Sequence, residues 1–296
     1  MSMPRELQLR EISEDILRSV SRSFYLSIRW LPAALREPIG LAYLLARATD
    51  TIADTSEISV ATRKSQLEVL AEAIQGKRSP DQTVDLASTV APLQSNSSER
   101  ALIEAVPRCL RWLQSLERRD REEVQNVLEK INRGQALDLT RFGDAHNVQA
   151  LHTAADLDEY TYLVAGCVGE FWTRVCFMHV NFSKRPADEM IRLGVQYGRG
   201  LQLINILRDI GTDVRAGRCY LPLDELQSLG VRPGNILRDG SGAGPVLAKW
   251  RQKARDGIAA GLEYACEIRN ARVRFATALP ALIGTRTLTL LDKAGA

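Results

Sequence analysis

Hydrophobic residues recur about every 3.6 positions along most of this chain, which is the pattern of helices that bury one face. Strict alternation of apolar and polar residues, the pattern of a half-buried strand, is not found over any comparable length. The Asp-Gly pair at Asp239-Gly240 lies in a glycine-rich stretch and not between two strand-like runs. The pattern therefore predicts an all-α protein.

The same periodicity predicts nine helices separated by polar segments. Their expected ranges are 8–20, 39–55, 60–76, 99–117, 119–139, 156–180, 187–213, 246–268 and 271–291. Residues 76–100 and 232–245 are rich in Gly, Pro, Ser and Asn, so we expect surface loops there, the first with a short apolar segment at 84–90. Because the polar groups on the two sides of the first loop have to act together, we expect one domain over residues 1–296.

The predicted helix at 187–213 carries acidic groups in an apolar setting. Asn205, Asp209 and Asp213 are spaced four residues apart, so their side chains lie on one face. Apolar residues occupy the positions between them: Leu203, Ile204, Ile206, Leu207 and Ile210. Carboxylates one turn apart on a buried helix repel each other unless a cation lies between them, and carboxylate and amide oxygens are ligands that Mg²⁺ prefers.

A second polar stripe lies on the predicted helix at 39–55. Tyr43, Arg47, Asp50 and Asp54 fall at positions i, i+4, i+7 and i+11, and the intervening residues are mostly Leu, Ile and Ala. Taken alone, this stripe is better explained as a solvated face with an ordinary Arg–Asp pair. Two such stripes facing each other would instead hold several Mg²⁺ ions and a diphosphate.

Four segments resemble, in order, the signature segments of the squalene/phytoene synthase family. They are Ser21–Tyr25, Tyr43–Asp54, Tyr160–Gly169 and Gln202–Pro222. The resemblance runs from about residue 16 to residue 223 and continues more weakly to the C-terminus. It implies a head-to-head prenyltransferase with an isoprenoid-synthase fold, in which a single-domain helical bundle surrounds a central cavity and two Asp-rich helices face each other.

The resemblance also implies roles for particular residues. The metal ligands are Asp50, Asp54, Asn205, Asp209 and Asp213. The substrate-binding residues are Ser21, Arg22, Phe24, Tyr43, Arg47, Gln202, Asn205, Arg208 and Arg218. Tyr160 joins the four aspartates as a catalytic residue that handles a proton or stabilises a carbocation.

Three of these features have plainer interpretations without the family. A Ser-Arg-Ser sequence such as 21–23 is also a common helix cap. Without the family, Tyr160 is better explained as a core tyrosine whose hydroxyl is hydrogen-bonded. The small residues of Val164–Gly169 would suit a close contact between helices as well as the wall of an isoprenoid pocket, and the resemblance favours the wall.

The implied reaction joins two farnesyl diphosphates to presqualene diphosphate with Mg²⁺ and reduces it with NADPH to squalene. No Gly-x-Gly-x-x-Gly sequence is present, so a Rossmann site for NADPH is not expected. The resemblance implies that NADPH binds in the same helical cavity as the substrates. Phytoene, dehydrosqualene, presqualene diphosphate and hydroxysqualene synthases are the alternatives. The Leu41–Asp54 and Leu279–Leu288 segments look more like those of squalene synthases. A family member that has lost catalysis and acts in assembly or lipid binding is a further alternative, against which the intact aspartates argue.

Composition excludes several other classes of function. Hydrophobic residues make up 45% of the chain and charged residues 25%, as in ordinary globular proteins, and the net charge of +3 does not indicate nucleic-acid binding. The five cysteines contain no Cys-x-x-Cys pair, which argues against zinc.

The sequence contains no signal peptide and no run of roughly 20 apolar residues, so we expect a cytoplasmic protein without a transmembrane span. Residues 275–291 are the most apolar, although Pro280 and Arg286 interrupt them. They form either a core helix or a peripheral contact with the inner face of the membrane, where product would leave.

Overall fold

The computed structural model describes residues 16–20, 24–143, 147–238, 240 and 242–294, the side chains of residues 24 and 294 excepted. The chain divides into two compact units, residues 1–139 and 140–296. Apart from one short pair of strands, the described elements are helical, so the predicted all-α class is confirmed. The prediction of one domain over 1–296 concerns how the two units combine, and it stays a prediction.

The first unit is built from helices. They are α1 (Leu17–Val20), α2 (Phe24–Trp30), α3 (Ala33–Asp54), α4 (Val60–Ile74), α5 (Val84–Val90), α6 (Ser97–Ser115) and α7 (Arg118–Phe142), whose last turn crosses the unit boundary. The α3 helix packs on α4 and α6 through a buried face that includes Leu41, Leu44 and Leu45. Side-chain caps fix the starts of α4 and α6, where Ser59 accepts from the Thr62 N–H and Asn96 from the Ser98 N–H.

Two expectations for this unit were wrong. The loop expected at 76–100 is largely helical, because α5 and the flanking 3₁₀ turns Pro80–Thr83 and Ala91–Leu93 bury Leu86 and Val90 against the rest of the unit. Tertiary packing stabilises such short helices more than their own propensity does. The α3 helix also starts before the expected residue 39, since Pro38 lies within it and is buried.

The second unit contains the remaining elements. They are β1 (Gln149–Leu151), α8 (Ala154–Thr161), one π-helical turn (Tyr162–Gly166), α9 (Cys167–His179), α10 (Ala187–Arg215), β2 (Arg218–Pro222), α11 (Leu223–Ser228), α12 (Gly244–Glu267) and α13 (Ala271–Ala294). The helix expected at 156–180 is thus two α-helices joined by a π turn. The N-cap of α8 is Thr153, which forms a reciprocal capping box with Asp156, the third residue of the helix.

The α10 helix is the centre of the second unit and packs on α9 and α12 at very short range. A Cβ added to Gly169 would overlap the carbonyl oxygen of Gly194, and one added to Gly200 would lie 2.7 Å from the Cα of Gly257. Glycine is required at these positions because backbone meets backbone. At Gly169, therefore, the missing side chain serves a close contact between helices.

The end of α10 leads into the sheet. Gly217 adopts a φ of 82°, a left-handed conformation that glycine takes without strain, and ends the helix. The following β2 pairs in parallel with β1, with Gln149 opposite Arg218 and Ala150 opposite Cys219. Neither strand is predicted from the sequence, since neither is long enough to show a clear alternation.

Candidate active site

The first acidic pair lies at the C-terminal end of α3. Asp50 and Asp54 are one turn apart, Asp54 is the last helical residue, and no basic residue lies in the last turn. Because the C-terminal end of a helix carries partial negative charge, two carboxylates there are unfavourable unless a cation compensates them. Ala48 and Ile52, fully buried on the other side of the helix, fix its orientation.

The Asp50 carboxylate is held from two sides. The Gln135 side-chain amide on α7 donates a 2.5 Å hydrogen bond to Oδ1, and Arg47 Nη1 lies 3.9 Å from Oδ2. The pKa of Asp50 is raised to about 7, chiefly because burial disfavours the charged carboxylate. Arg47 and the Gln135 hydrogen bond lower this pKa, and the nearby Asp54 raises it. The side chain nevertheless keeps 37% of its surface exposed, so an ion can reach it.

Arg47 has a stronger partner than Asp50. Its Nη2 lies 2.6 Å from Oε1 of Glu99, in the first turn of α6, and both side chains are largely shielded. A diphosphate would therefore have to compete with Glu99 for this guanidinium. Glu99 is not predicted as part of the site from the sequence, because an acidic residue in the first turn of a helix is ordinarily explained by its favourable interaction with the helix dipole. Tyr43, one turn before Arg47, has its hydroxyl 3.5 Å from the carbonyl oxygen of Val20.

The second acidic stripe follows α10 as predicted. Arg208 binds Asp209 through two contacts, Nε–Oδ1 at 2.8 Å and Nη2–Oδ2 at 2.5 Å, and both side chains are about half exposed. One turn earlier, the Asn205 amide nitrogen donates to Gln202 Oε1 at 3.3 Å, so the Asn205 side-chain oxygen is not used in this hydrogen bond. Its role as a metal ligand stays a prediction. The helix buries Leu203, Ile204, Ile206, Leu207 and Ile210, as expected.

Asp213 ends this stripe beside the sheet. Its Oδ1 lies 3.6 Å from Nη2 of Arg218, the first residue of β2, and its side chain is only 16% exposed. The turn at Gly217 creates this proximity, because it reverses the chain directly after α10. The structure therefore brings together Gln202 with Asn205, Arg208 with Asp209, and Asp213 with Arg218.

Tyr160, near the end of α8, is buried in an aromatic cluster. Its ring stacks on Tyr220 of β2, with centroids 4.8 Å apart, and Phe142 meets Tyr220 edge-on at 5.2 Å. Tyr160 is only 8% exposed. This environment agrees with the core-tyrosine interpretation and also places π faces where they could stabilise a cation. Its catalytic role stays a prediction.

Three of the predicted substrate-binding groups lie outside the described part of the chain. They are Ser21, Arg22 and the side chain of Phe24. Their roles stay predictions.

The donor set suits Mg²⁺ that is completed by a substrate. Asp50, Asp54, Asn205, Asp209 and Asp213 offer hard oxygen ligands, and the desolvated Asp50 carboxylate would be stabilised by a cation. Within the described residues, no three His, Cys, Asp or Glu side chains already converge on one point. Mg²⁺ commonly binds through one or two carboxylates plus substrate phosphates, so a carboxylate pair with a diphosphate is an adequate site.

Comparison with known proteins defines the family. The squalene/phytoene synthase family model matches residues 17–296, and the chain therefore belongs to the squalene/phytoene synthase family. A bifunctional lycopene cyclase/phytoene synthase of Blakeslea trispora is 32% identical over 212 residues, which cover 71% of this chain and 32% of that protein. A squalene synthase of Yarrowia lipolytica is 29% identical over 224 residues, covering 74% of this chain and 47% of that protein.

The fold agrees with the family. The solved structure of TcSQS with the ligand E5700 superposes with a TM-score of 0.70 at 25% identity, covering 96% of this chain and 78% of that chain. The all-α isoprenoid-synthase fold is thus confirmed. The chain spans less than half the length of the two curated relatives above. That the two acidic helices face each other across a cavity stays a prediction.

Proposed function

We propose that this chain joins two farnesyl diphosphates head to head, with Mg²⁺, to presqualene diphosphate and then reduces that product with NADPH to squalene. The observation that carries the proposal is the pair of acidic helices, α3 and α10. Each presents two aspartates one turn apart with an arginine beside them, in a chain of this family. We further propose that these two stripes face each other and hold both diphosphates.

The aspartates of the two stripes would hold the metal. Bound Mg²⁺ would supply Lewis-acid neutralisation of the departing diphosphate. Arg47, Arg208 and Arg218 are the described cations beside these aspartates, and they would stabilise the negative charge that grows on the leaving group. To do so, Arg208 and Arg47 would share their guanidinium groups between their present carboxylate partners and the diphosphate.

The chain would also direct the carbon chemistry. When one farnesyl diphosphate loses its diphosphate, the 2,3-double bond of the other attacks C1, and loss of one proton closes the cyclopropane ring. We propose that Tyr160 assists the loss of that proton, with the released diphosphate as the rival base. The buried aromatic rings beside Tyr160 would keep water from capturing the carbocation.

No set of described residues defines a nicotinamide site, so no step is assigned to a residue that would bind NADPH. The reductive step is supported by the resemblance of this chain to squalene synthases. Phytoene synthesis is the second candidate, because the Blakeslea trispora relative is a phytoene synthase and is the more similar in sequence of the two relatives.

Product analysis tests this proposal. Purified protein would be incubated with farnesyl diphosphate and Mg²⁺, with and without NADPH, and the extracted products identified. We expect squalene only with NADPH and presqualene diphosphate without it. If the product were the same with and without NADPH, the assigned reaction would be dehydrosqualene or presqualene diphosphate synthesis and not reduction to squalene. Turnover of geranylgeranyl diphosphate alone would make the chain a phytoene synthase.

Two variants test the metal ligands in the same assay. Asp50→Asn and Asp209→Asn should each abolish turnover and leave the far-ultraviolet circular dichroism spectrum unchanged, because an amide keeps the shape but loses the charge. Normal activity in either variant would refute its assignment as a metal ligand.

A further inference from the structure

The outward side of α13 is unusually apolar for a protein surface. Leu282, Ile283 and Leu290 are 60%, 51% and 55% exposed, and Leu279 is half-buried beside them. With 3.6 residues per turn, these four side chains fall within an arc of about 100°. We call these apolar residues, together with Arg272, Arg286 and Lys293 of the same arc, the outer face of α13. Single exposed apolar residues are normal, but a continuous stripe marks an interaction site.

The opposite side of the helix accounts for its attachment to the second unit. Val273, Ala276, Ala281 and Leu288 are buried, and Gly284 allows the helix to approach Ile258 of α12 and Ile204 of α10. The fold of this unit therefore uses only one side of α13. The outer face contributes nothing to that core, and its apolar residues need another explanation.

Charge on the outer face has one sign. Arg272, Arg286 and Lys293 fall within the same arc and are exposed, one near each end and one among the leucines. Residues 271–291 contain no Asp or Glu, and Asp292 is turned away from the arc and pairs with Arg255 of α12 at 2.5 Å. The face is thus amphipathic in the manner of helices that lie in a membrane interface.

A second copy of the chain would fit this face poorly. In a two-fold dimer the same patch contacts itself, so Arg286 would be buried against leucines or against another arginine, with no carboxylate on the face to pair with it. An anionic lipid surface has neither problem. Its phosphates supply the missing negative charge, and long basic side chains can reach the headgroups while the leucines enter the acyl region.

We propose that the outer face of α13 docks the protein on an anionic lipid bilayer, as a peripheral contact about 30 Å long. No described helix is long and apolar enough to cross a membrane, so the contact would lie in the plane of the interface. The proposal stands on this face alone. Under the proposed function it would place an enzyme with prenyl substrates and a hydrocarbon product beside the phase into which they partition.

Vesicle flotation tests the proposal with the full chain and without substrate. The vesicles would contain equal parts phosphatidylglycerol and phosphatidylcholine, or phosphatidylcholine alone. We expect binding to the first kind and much weaker binding to the second. The double variant Leu282→Ser/Ile283→Ser should weaken binding at least about tenfold, since it removes two side chains that would enter the acyl region. Arg286→Gln should weaken it about fivefold, and only on anionic vesicles.

Leu229→Ser is the matched control, because Leu229 is also an exposed leucine of the second unit (41%) but lies outside α13. It should bind vesicles as the native chain does. Failure of the native protein to bind anionic vesicles, or equal binding by the double variant, would overturn the proposal. So would a concentration-dependent dimer in sedimentation that the double variant abolishes, which would assign the face to a second copy. Because flotation requires no turnover, these outcomes are independent of the proposed reaction.

Discussion

Replacing Asp50 by asparagine should stabilise the metal-free protein while it destroys turnover. Asparagine has the same shape as aspartate, and its carbonyl oxygen can still accept the hydrogen bond from Gln135. What the substitution removes is a carboxylate that the fold holds in a poorly solvated position. Groups selected for function are often unfavourable for folding, and this residue offers a direct measurement of that conflict.

The magnitude follows from the pKa. Burial raises the pKa of Asp50 from 3.8 to about 7 in the folded chain. At 1.36 kcal/mol per unit, this difference would correspond to about 4 kcal/mol for a fully shielded group. Since 37% of the side chain is exposed and solvent screens it, we expect about 1–2 kcal/mol. For a chain of this size, that is a rise in Tm of roughly 2–5 °C.

The sign of the pH dependence is also fixed. Between pH 3.8 and about 7 the folded native chain binds more protons at Asp50 than the unfolded chain does, so its stability falls as the pH rises. The penalty is complete above pH 7 and absent below pH 4. Asp50→Asn has no such group, and its advantage over the native protein should therefore grow across this range.

The assay is thermal unfolding of the native protein and Asp50→Asn in the presence of a metal chelator, at pH values from about 5 to about 8. Glu68→Gln is the matched control, since Glu68 is an exposed carboxylate on α4 of the same unit. Mg²⁺ added with diphosphate should then stabilise the native protein more than it stabilises Asp50→Asn, because the variant lacks one of the proposed carboxylate ligands. The reasoning would be refuted if Asp50→Asn were no more stable than the native protein at about pH 8. It would also be refuted if the difference in stability between the two proteins were the same at about pH 5 and about pH 8.

Three further substitutions test other parts of the structure. Gln135→Leu should raise the Mg²⁺ concentration for half-maximal activity about tenfold, because the hydrogen bond that orients the Asp50 carboxylate is lost; an unchanged Mg²⁺ titration would contradict this. Tyr160→Phe should keep the Tm but lower kcat about 100-fold if the hydroxyl handles a proton, and full activity would leave it a core residue. Gly169→Ala should cost about 3 kcal/mol or more in urea unfolding, while Gly244→Ala, which has open space around it, should be nearly neutral.

Amphipathic periodicity predicted the longer helices well and the irregular segments poorly. The expected ranges 187–213 and 271–291 correspond closely to α10 and α13, because each repeats its buried positions over several turns. The π turn Tyr162–Gly166 adds no sequence signal that periodicity would detect. The strand Gln149–Leu151 is formed by its pairing with β2, a contact that no local pattern encodes.

The candidate site shows the same limit. Spacing alone placed Asp50 and Asp54 on one face, because the geometry of a helix determines that result. The groups that hold them are distant in sequence: Glu99 lies 52 residues after Arg47, and Gln135 lies 85 residues after Asp50. Such partners are brought together only by the packing of α6 and α7 in the first unit, so no window of local sequence could have identified them.

The two acidic stripes differ in what a cation would gain at each of them. Asp209 already has an arginine in a two-contact pair that is half exposed, so solvent screens its charge and a metal would displace an existing partner. Asp50 lies in a more desolvated position, and its nearest arginine is 3.9 Å away and more closely bound to Glu99. The electrostatic free energy that a bound cation would gain is therefore larger at Asp50 than at Asp209. If both stripes bind Mg²⁺, the ion at α3 should bind more tightly at pH values above 7, where no proton competes for the carboxylate, and its affinity should fall as the pH drops below the pKa of Asp50.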